Sequence, residues 1–244
     1  MAEAPVRIAM WSGPRNLSTA MMRAFGNRAD VAEVWDEPFY AVYLAMSGKD
    51  HPMRAEILSA QAQDWRQVAA ACAGAPAGPG RMIYQKQMTH HLLPGIGCDW
   101  TRELCNVFLI RAPERVLASY AAKREAVELN DIGFIQQAEL FDMIAERDGT
   151  APPVIEAEAV RADPEGVLRR LCTRIGLGFD PAMLAWDPGP RPSDGVWAAH
   201  WYGNVLNSSS FAPPDPAPPP LPDALQRIAD AARPSYARLL AHRL

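Results

Sequence analysis

Short apolar runs recur along the chain at 6–11 (VRIAMW), 31–35 (VAEVW), 81–87 (RMIYQKQ) and 104–111 (LCNVFLIR). Runs of this length read as buried strands. Between them the apolar spacing changes to that of a helix. Leu17, Met21, Met22 and Phe25 predict a helix over 16–27, stopped by Gly26 and Asn27. An alanine-rich stretch predicts helix over 53–73, followed by a loop at 73–80 (AGAPAGPG). Pro113 suits the first position of a helix running through 114–128, and a second helix covers 134–147. A last strand is expected at 152–160 (PPVIEAEAV), then a helix with Asp163 as N-cap and Gly176 as stop. Residues 187–222 are rich in proline and aromatics, with irregular structure expected to Phe211 and a spacer at 212–222. A C-terminal helix shows its apolar face in Leu225, Ile228, Ala232, Tyr236 and Leu239, with a kink expected at Pro234. The expected organisation is one α/β domain over 1–211, the spacer 212–222, and a helix over 223–244 packed on the domain. Strands alternating with helices imply an α/β fold of three layers, α/β/α, with a central parallel sheet. Ligands of such sheets bind beyond the carboxyl ends of the strands. That rule places Ser12 to Thr19, Glu37, Lys86 and Arg111 along one rim.

Composition narrows the function. The 244 residues are 49% apolar and 21% charged, with a net charge of −4. No global basic field invites nucleic acid or an acidic membrane, so an anion would have to be held by local groups. No apolar stretch is long enough to span a bilayer, and no basic leader precedes an apolar segment. A cytoplasmic location is the default expectation. Cys72, Cys98, Cys105 and Cys172 form no CxxC pair and stand near no histidine at zinc-ligand spacing, so reduced thiols and no metal site are expected.

The segment SGPRNLST (12–19) combines three anion-binding features. A turn after a strand exposes backbone N–H groups, and the helix N-terminus adds partial positive charge. Arg15, Ser18 and Thr19 add side-chain donors, and the guanidinium can fork onto two oxygens of one phosphate or sulfate. The loop GxxxxGK[ST] of nucleoside-triphosphate enzymes is absent, which argues against an ATP–Mg²⁺ reaction. A second candidate is FLIRAPERVLASY (108–120). Here Arg111 ends a strand, and Ser119 lies eight residues later on a helix begun by Pro113.

Both segments resemble the anion loops of sulfotransferases. PRNLST resembles the 5′-phosphosulfate loop, P-[KR]-S-G-[ST]-[ST], through Pro14, Arg15, Ser18 and Thr19; Asn16 and Leu17 stand where Ser-Gly is usual. RAPERVLASY resembles the family's 3′-phosphate motif, and DEPF with the segment 154–184 extends the likeness over most of residues 6–186. The resemblance implies a P-loop nucleotide-kinase-like fold and a sulfuryl donor, 3′-phosphoadenylyl sulfate (PAPS), with no metal. The donor would lie on Ser12, Gly13, Pro14, Arg15, Asn16, Leu17, Ser18 and Thr19, with Arg111 and Ser119 gripping its 3′-phosphate. It implies transfer to a hydroxyl or amine of an acceptor; the acidic balance and compact length suggest a small-molecule acceptor over a polymer, and the oligomeric state stays open. The alternatives are a P-loop nucleotide or small-molecule kinase, or a catalytically degenerate nucleotide-binding protein of the same fold.

Transfer needs a base for the acceptor's proton and positive charge for the leaving group. Glu37, in WDEPF, resembles the glutamate that some bacterial sulfotransferases use after their second strand. His90 is the rival, in QKQMTHHLLP, which resembles the K-T-H-L-P element of cytosolic sulfotransferases; His91 lies beside it. Arg15 and Lys86 are the candidate charge stabilisers. Trp197, His200, Trp201 and Tyr202 form an aromatic segment that either covers the site or pins the tail. The basic RKG element of the cytosolic branch is absent, and Arg191 is the substitute considered for a second clamp on the 3′-phosphate.

Overall fold

A computed structural model describes residues 5–77, 80–121, 127–214, 217–218 and 220–244. In chain order the elements are β1 (Val6–Ser12), α1 (Ser18–Gly26), β2 (Val31–Asp36), α2 (Tyr40–Ser47), α3 (Arg54–Ala60), α4 (Trp65–Ala73), β3 (Met82–Met88), β4 (Cys105–Ile110), α5 (Pro113–Ala121) and α6 (Phe134–Asp148). They continue with β5 (Val154–Glu156), α7 (Ala157–Ala162), α8 (Pro164–Arg174), α9 (Ala198–Trp201), α10 (Gly203–Leu206) and α11 (Asp223–Leu240).

The strands form one parallel sheet in the order β2-β3-β1-β4-β5. Alternation along β1 divides the core. Ile8 and Met10 pack with Met21 and Phe25 of α1, whereas Ala9 and Trp11 pack with Phe141 and Ile144 of α6 and Leu239 of α11. Helices on both faces give the expected three layers. The chain runs from β1 out to β2, returns through β3, and then crosses to β4 on the other side of β1. The strand order therefore reverses between β1 and β4, which opens a crevice at their carboxyl ends. Register aligns that rim: Asp36 and Met10 both pair with Lys86, and Ser12 lies beside Met88 and Leu109.

Several local expectations change. The helix after β1 begins at Ser18 because Arg15 and Leu17 adopt left-handed backbone, with φ of 60° and 67°. The stretch 53–73 is two helices. Gln61 between them is extended, and its side chain clamps the turn after β2 by donating to Glu37 O and accepting from Ala41 N, both at 3.1 Å. Asp64 then caps α4 by accepting from Arg66 N at 3.0 Å. The last strand keeps three residues, and 157–160 of the expected strand belong to helix α7. A helix at Tyr40–Ser47 has no counterpart in the expectations. The helix begun by Pro113 extends to Ala121, and residues 122–126 of its expected span lie outside the described residues. Helix α11 continues as one element through Pro234. The four cysteines are free, and among the described residues no helix is long and apolar enough to cross a membrane.

Candidate active site

A cavity of about 680 Å³ opens at the carboxyl rim. It gathers Pro14 through Ala20, Glu37, Lys86, His90, His91, Arg111 and Ser119 from four strand ends that are distant in sequence. Ser12 and Gly13 do not line it. Ser12 is buried within the sheet, its hydroxyl donating to the Met88 sulfur at 3.7 Å, and a Cβ on Gly13 would meet Ile132 O at 2.4 Å. These two residues shape the loop; they do not face its contents.

One wall is cationic. Arg15 Nε donates to Ser119 Oγ at 2.9 Å, and Arg111 Nη1 donates to Arg15 O at 3.0 Å, so the loops after β1 and β4 are directly joined. Burial, and then the adjacent Arg111 charge, push the Arg15 pKa down. Glu158 steadies the group, accepting from Arg111 Nε at 2.9 Å with Arg115 Nε at 3.5 Å. Asn16 is buried and donates to Leu109 O at 3.3 Å, which fixes the loop over β4. Arg191 lies elsewhere: it holds Asp187 O and lines a separate small groove beside α1 and β2. Arg115 and Arg161 are the further arginines at the cavity. Arg115 was legible as one helical turn beyond Arg111; Arg161 had no local signal.

The other wall is buried and internally satisfied. Glu37 follows β2 with left-handed φ of 45°, a conformation held by its N–H donating to Lys86 O at 2.9 Å. Lys86 Nζ donates to Glu37 Oε1 at 2.6 Å, Asp36 Oδ1 at 3.0 Å and Tyr202 OH at 2.5 Å. Burial alone would lower the Lys86 pKa, but Asp36, Glu37 and Tyr202 overcome it and hold the ammonium charged. With one cation between two carboxylates, burial wins at Glu37 and raises its pKa, opposed by Lys86 and reinforced by Asp36.

His90 and His91 occupy the turn after β3. His91 stacks between Tyr40 and Tyr43 at 4.8 Å from each ring, and its Nε2 lies 4.0 Å from Glu37 Oε2. Burial drives His91 well below its ordinary pKa and His90 down to about 3, so both imidazoles are neutral near pH 7. Tyr40 OH pairs with His51 Nδ1 at 2.9 Å beside them. The segment 197–202 closes over this wall: Trp197 is fully buried with Nε1 donating to Tyr202 OH at 3.1 Å, while Trp201 and Tyr202 line the cavity. Ala212, Ala217 and Pro218 of the expected spacer also line it. Sequence reasoning missed Asp36, Tyr40 and His51 as partners of the site. Asp36 carried a signal, a second carboxylate beside Glu37.

Residues 6–242 match the family described as Sulfotransferase domain. The chain belongs to that family. Three solved structures share the sulfotransferase fold. A sulfotransferase from Alicyclobacillus acidocaldarius aligns with a TM-score of 0.58 at 14% identity, covering 99% of this chain and 98% of its own. The sulfotransferase domain of the Synechococcus PCC 7002 olefin synthase gives 0.54 at 18%, covering 97% and 96%. That of the curacin biosynthetic pathway gives 0.52 at 18%, covering 95% and 99%. Among curated relatives, branched-chain-amino-acid aminotransferase-like proteins 2 and 1 of Arabidopsis thaliana are 33% and 34% identical over 95% and 99% of this chain. The chain spans only 41% and 43% of their lengths, so their names describe much longer proteins. Membership of the sulfotransferase family supports sulfuryl-transfer chemistry at this site.

Proposed function

We propose that the chain transfers a sulfuryl group from PAPS to a hydroxyl or amine of a small acceptor. The observation that carries this reading is the direct contact of Arg15, Arg111 and Ser119 in the cavity that Glu37 also lines. Arg15 and the α1 N-terminus would hold the phosphosulfate end of the donor, with Arg111 and Ser119 on its 3′-phosphate. The acceptor oxygen or nitrogen forms a bond to sulfur while the bond from sulfur to the bridging oxygen breaks. The electron pair leaves on the 5′-phosphate of adenosine 3′,5′-bisphosphate, beside Arg15, and the acceptor's proton passes to Glu37.

Glu37 suits the base role better than His90. A base works best when its pKa lies near the working pH. Glu37 is raised toward that range, whereas His90 is lowered to about 3 and its Nδ1 is sealed from solvent. Lys86, with its donors on Asp36, Glu37 and Tyr202, acts on the charge of Glu37 and does not reach for the leaving group. Around Glu37 the cavity is lined by neutral imidazoles, aromatic rings and Lys86, whose charge Asp36 and Glu37 balance, which favours an uncharged acceptor over an anionic one.

Thermal melting with adenosine 3′,5′-bisphosphate, ADP and AMP tests the reading. At a hundred times its Kd the bisphosphate should stabilise the fold by about 2.7 kcal/mol without metal. An equal shift with ADP, or a shift that requires ATP and Mg²⁺, overturns it in favour of a kinase. Binding of the bisphosphate with no transfer across a broad acceptor panel would instead mark a degenerate enzyme.

A further inference from the structure

Asp36 does not line the cavity, yet three groups around the site converge on it. Its carboxylate accepts from Lys86 Nζ at 3.0 Å, from Tyr202 OH at 2.8 and 2.7 Å, and from Gly195 N at 3.0 Å. The groups match in number. Lys86 has three N–H donors and three acceptors at bonding distance. The Tyr202 hydroxyl gives its one proton to Asp36 and receives from Lys86 and Trp197 Nε1. The same segment has a second anchor where Asp194 takes both Arg23 Nη atoms at 2.6 and 2.7 Å, on side chains about 5% exposed or less.

We propose that Asp36 and Tyr202 are positioning residues of this site. They hold Lys86 against Glu37 and, through the same hydrogen bonds, latch residues 194–202 over the cavity. One buried network then sets both the charge of the base and the closure of the aromatic segment. The inference rests on the reading of Glu37 as base. Five groups face Glu37: Lys86 from β3, Asp36 on its own strand, Tyr40 from α2, His91 from the turn after β3, and Tyr202 from the latched segment. Of these, Lys86 is the cation and Asp36 the like charge. Removing the charge of Asp36 leaves Lys86 unopposed, and Glu37 then ionises at lower pH.

The test is carboxyl-¹³C NMR of the full chain labelled at glutamate, with the Glu37 signal assigned as the one lost in Glu37→Gln. In Asp36→Asn the Glu37 midpoint should fall by about one pH unit or more. The acid limb of kcat/KM against pH should move down with it. Tyr202→Phe keeps the ring but removes the hydroxyl link to Asp36 and Lys86, so amide hydrogen exchange across residues 194–202 should rise about tenfold or more. A Glu37 midpoint unmoved in a folded Asp36→Asn protein overturns the inference. If Asp36→Asn does not fold, wild-type exchange at residues 194–202 in Tyr202→Phe overturns it alone. Neither readout needs turnover. A wild-type protein without sulfuryl transfer would remove the role of Glu37, while the midpoint and exchange measurements would still decide whether the network is as described.

Discussion

The wall made by the loops after β1 and β4 carries Arg15, Arg111, Arg115 and Ser119; the wall made by the ends of β2 and β3 carries Glu37, Lys86, His90 and His91. On the first, the Arg15, Arg111 and Arg115 guanidinium groups stand together, and Glu158 accepts from Arg111 and lies against Arg115. On the second, the Lys86 ammonium faces Asp36 and Glu37, and the histidines are neutral. The first is suited to receive a polyanion. The second is suited to move a proton, because its own charges cancel and leave one raised carboxyl beside the cavity.

The largest expected effect tests whether the second wall does the chemistry. Glu37→Gln should cut turnover by about 10²–10⁴-fold. Its bisphosphate-induced melting shift should persist, and His90→Gln should remain within about tenfold of wild type by the same assay. A greater loss in His90→Gln would exchange the two candidates. Next comes the first wall. Arg111→Ala should weaken adenosine 3′,5′-bisphosphate by about 10–100-fold in calorimetry, the loss of a charged hydrogen bond, while AMP binding changes little. Ser119→Ala should cost less, about 2–10-fold.

A smaller effect separates the walls by pH. A histidine whose folded pKa is lowered contributes stability that is complete above its ordinary value of 6.5 and is lost as the pH falls toward its folded value, about 3 for His90. Melting temperature should therefore drop as pH is lowered through that window, by roughly 2–4 °C for each kcal/mol lost. The double variant His90→Gln, His91→Gln should flatten the slope. The smallest effect concerns Leu17. Its left-handed φ of 67° stands where the family pattern has glycine, but its side chain packs against the core. Leu17→Gly trades relief of strain for lost burial, and stability should change by about 1 kcal/mol or less in denaturant titration.

The contrast between the walls also explains what the sequence showed. Arg111 sits directly after an apolar strand and Arg15 three residues after another, so sheet topology brings them to one rim. Lys86 and Glu37 were visible for the same reason. Their meaning depended on Asp36, Tyr202 and Trp197, whose contacts bridge 116 residues from Lys86 to Tyr202 and leave no local periodicity. The break at 61–64 was hidden in similar fashion, since Gln61 is held extended by a turn 24 residues earlier. The strand at 152–160 was over-read because IEAEAV alternates apolar and acidic residues with the period of a strand, whereas pairing with β4 ends at Glu156.

The bond from Arg15 to Ser119 has one more consequence. It occupies Arg15 Nε and one lone pair of the serine, and leaves the two Nη groups and the hydroxyl proton to donate elsewhere. Under the proposed reading, both side chains would meet an incoming donor already aligned on one another, so little ordering remains to be done on arrival.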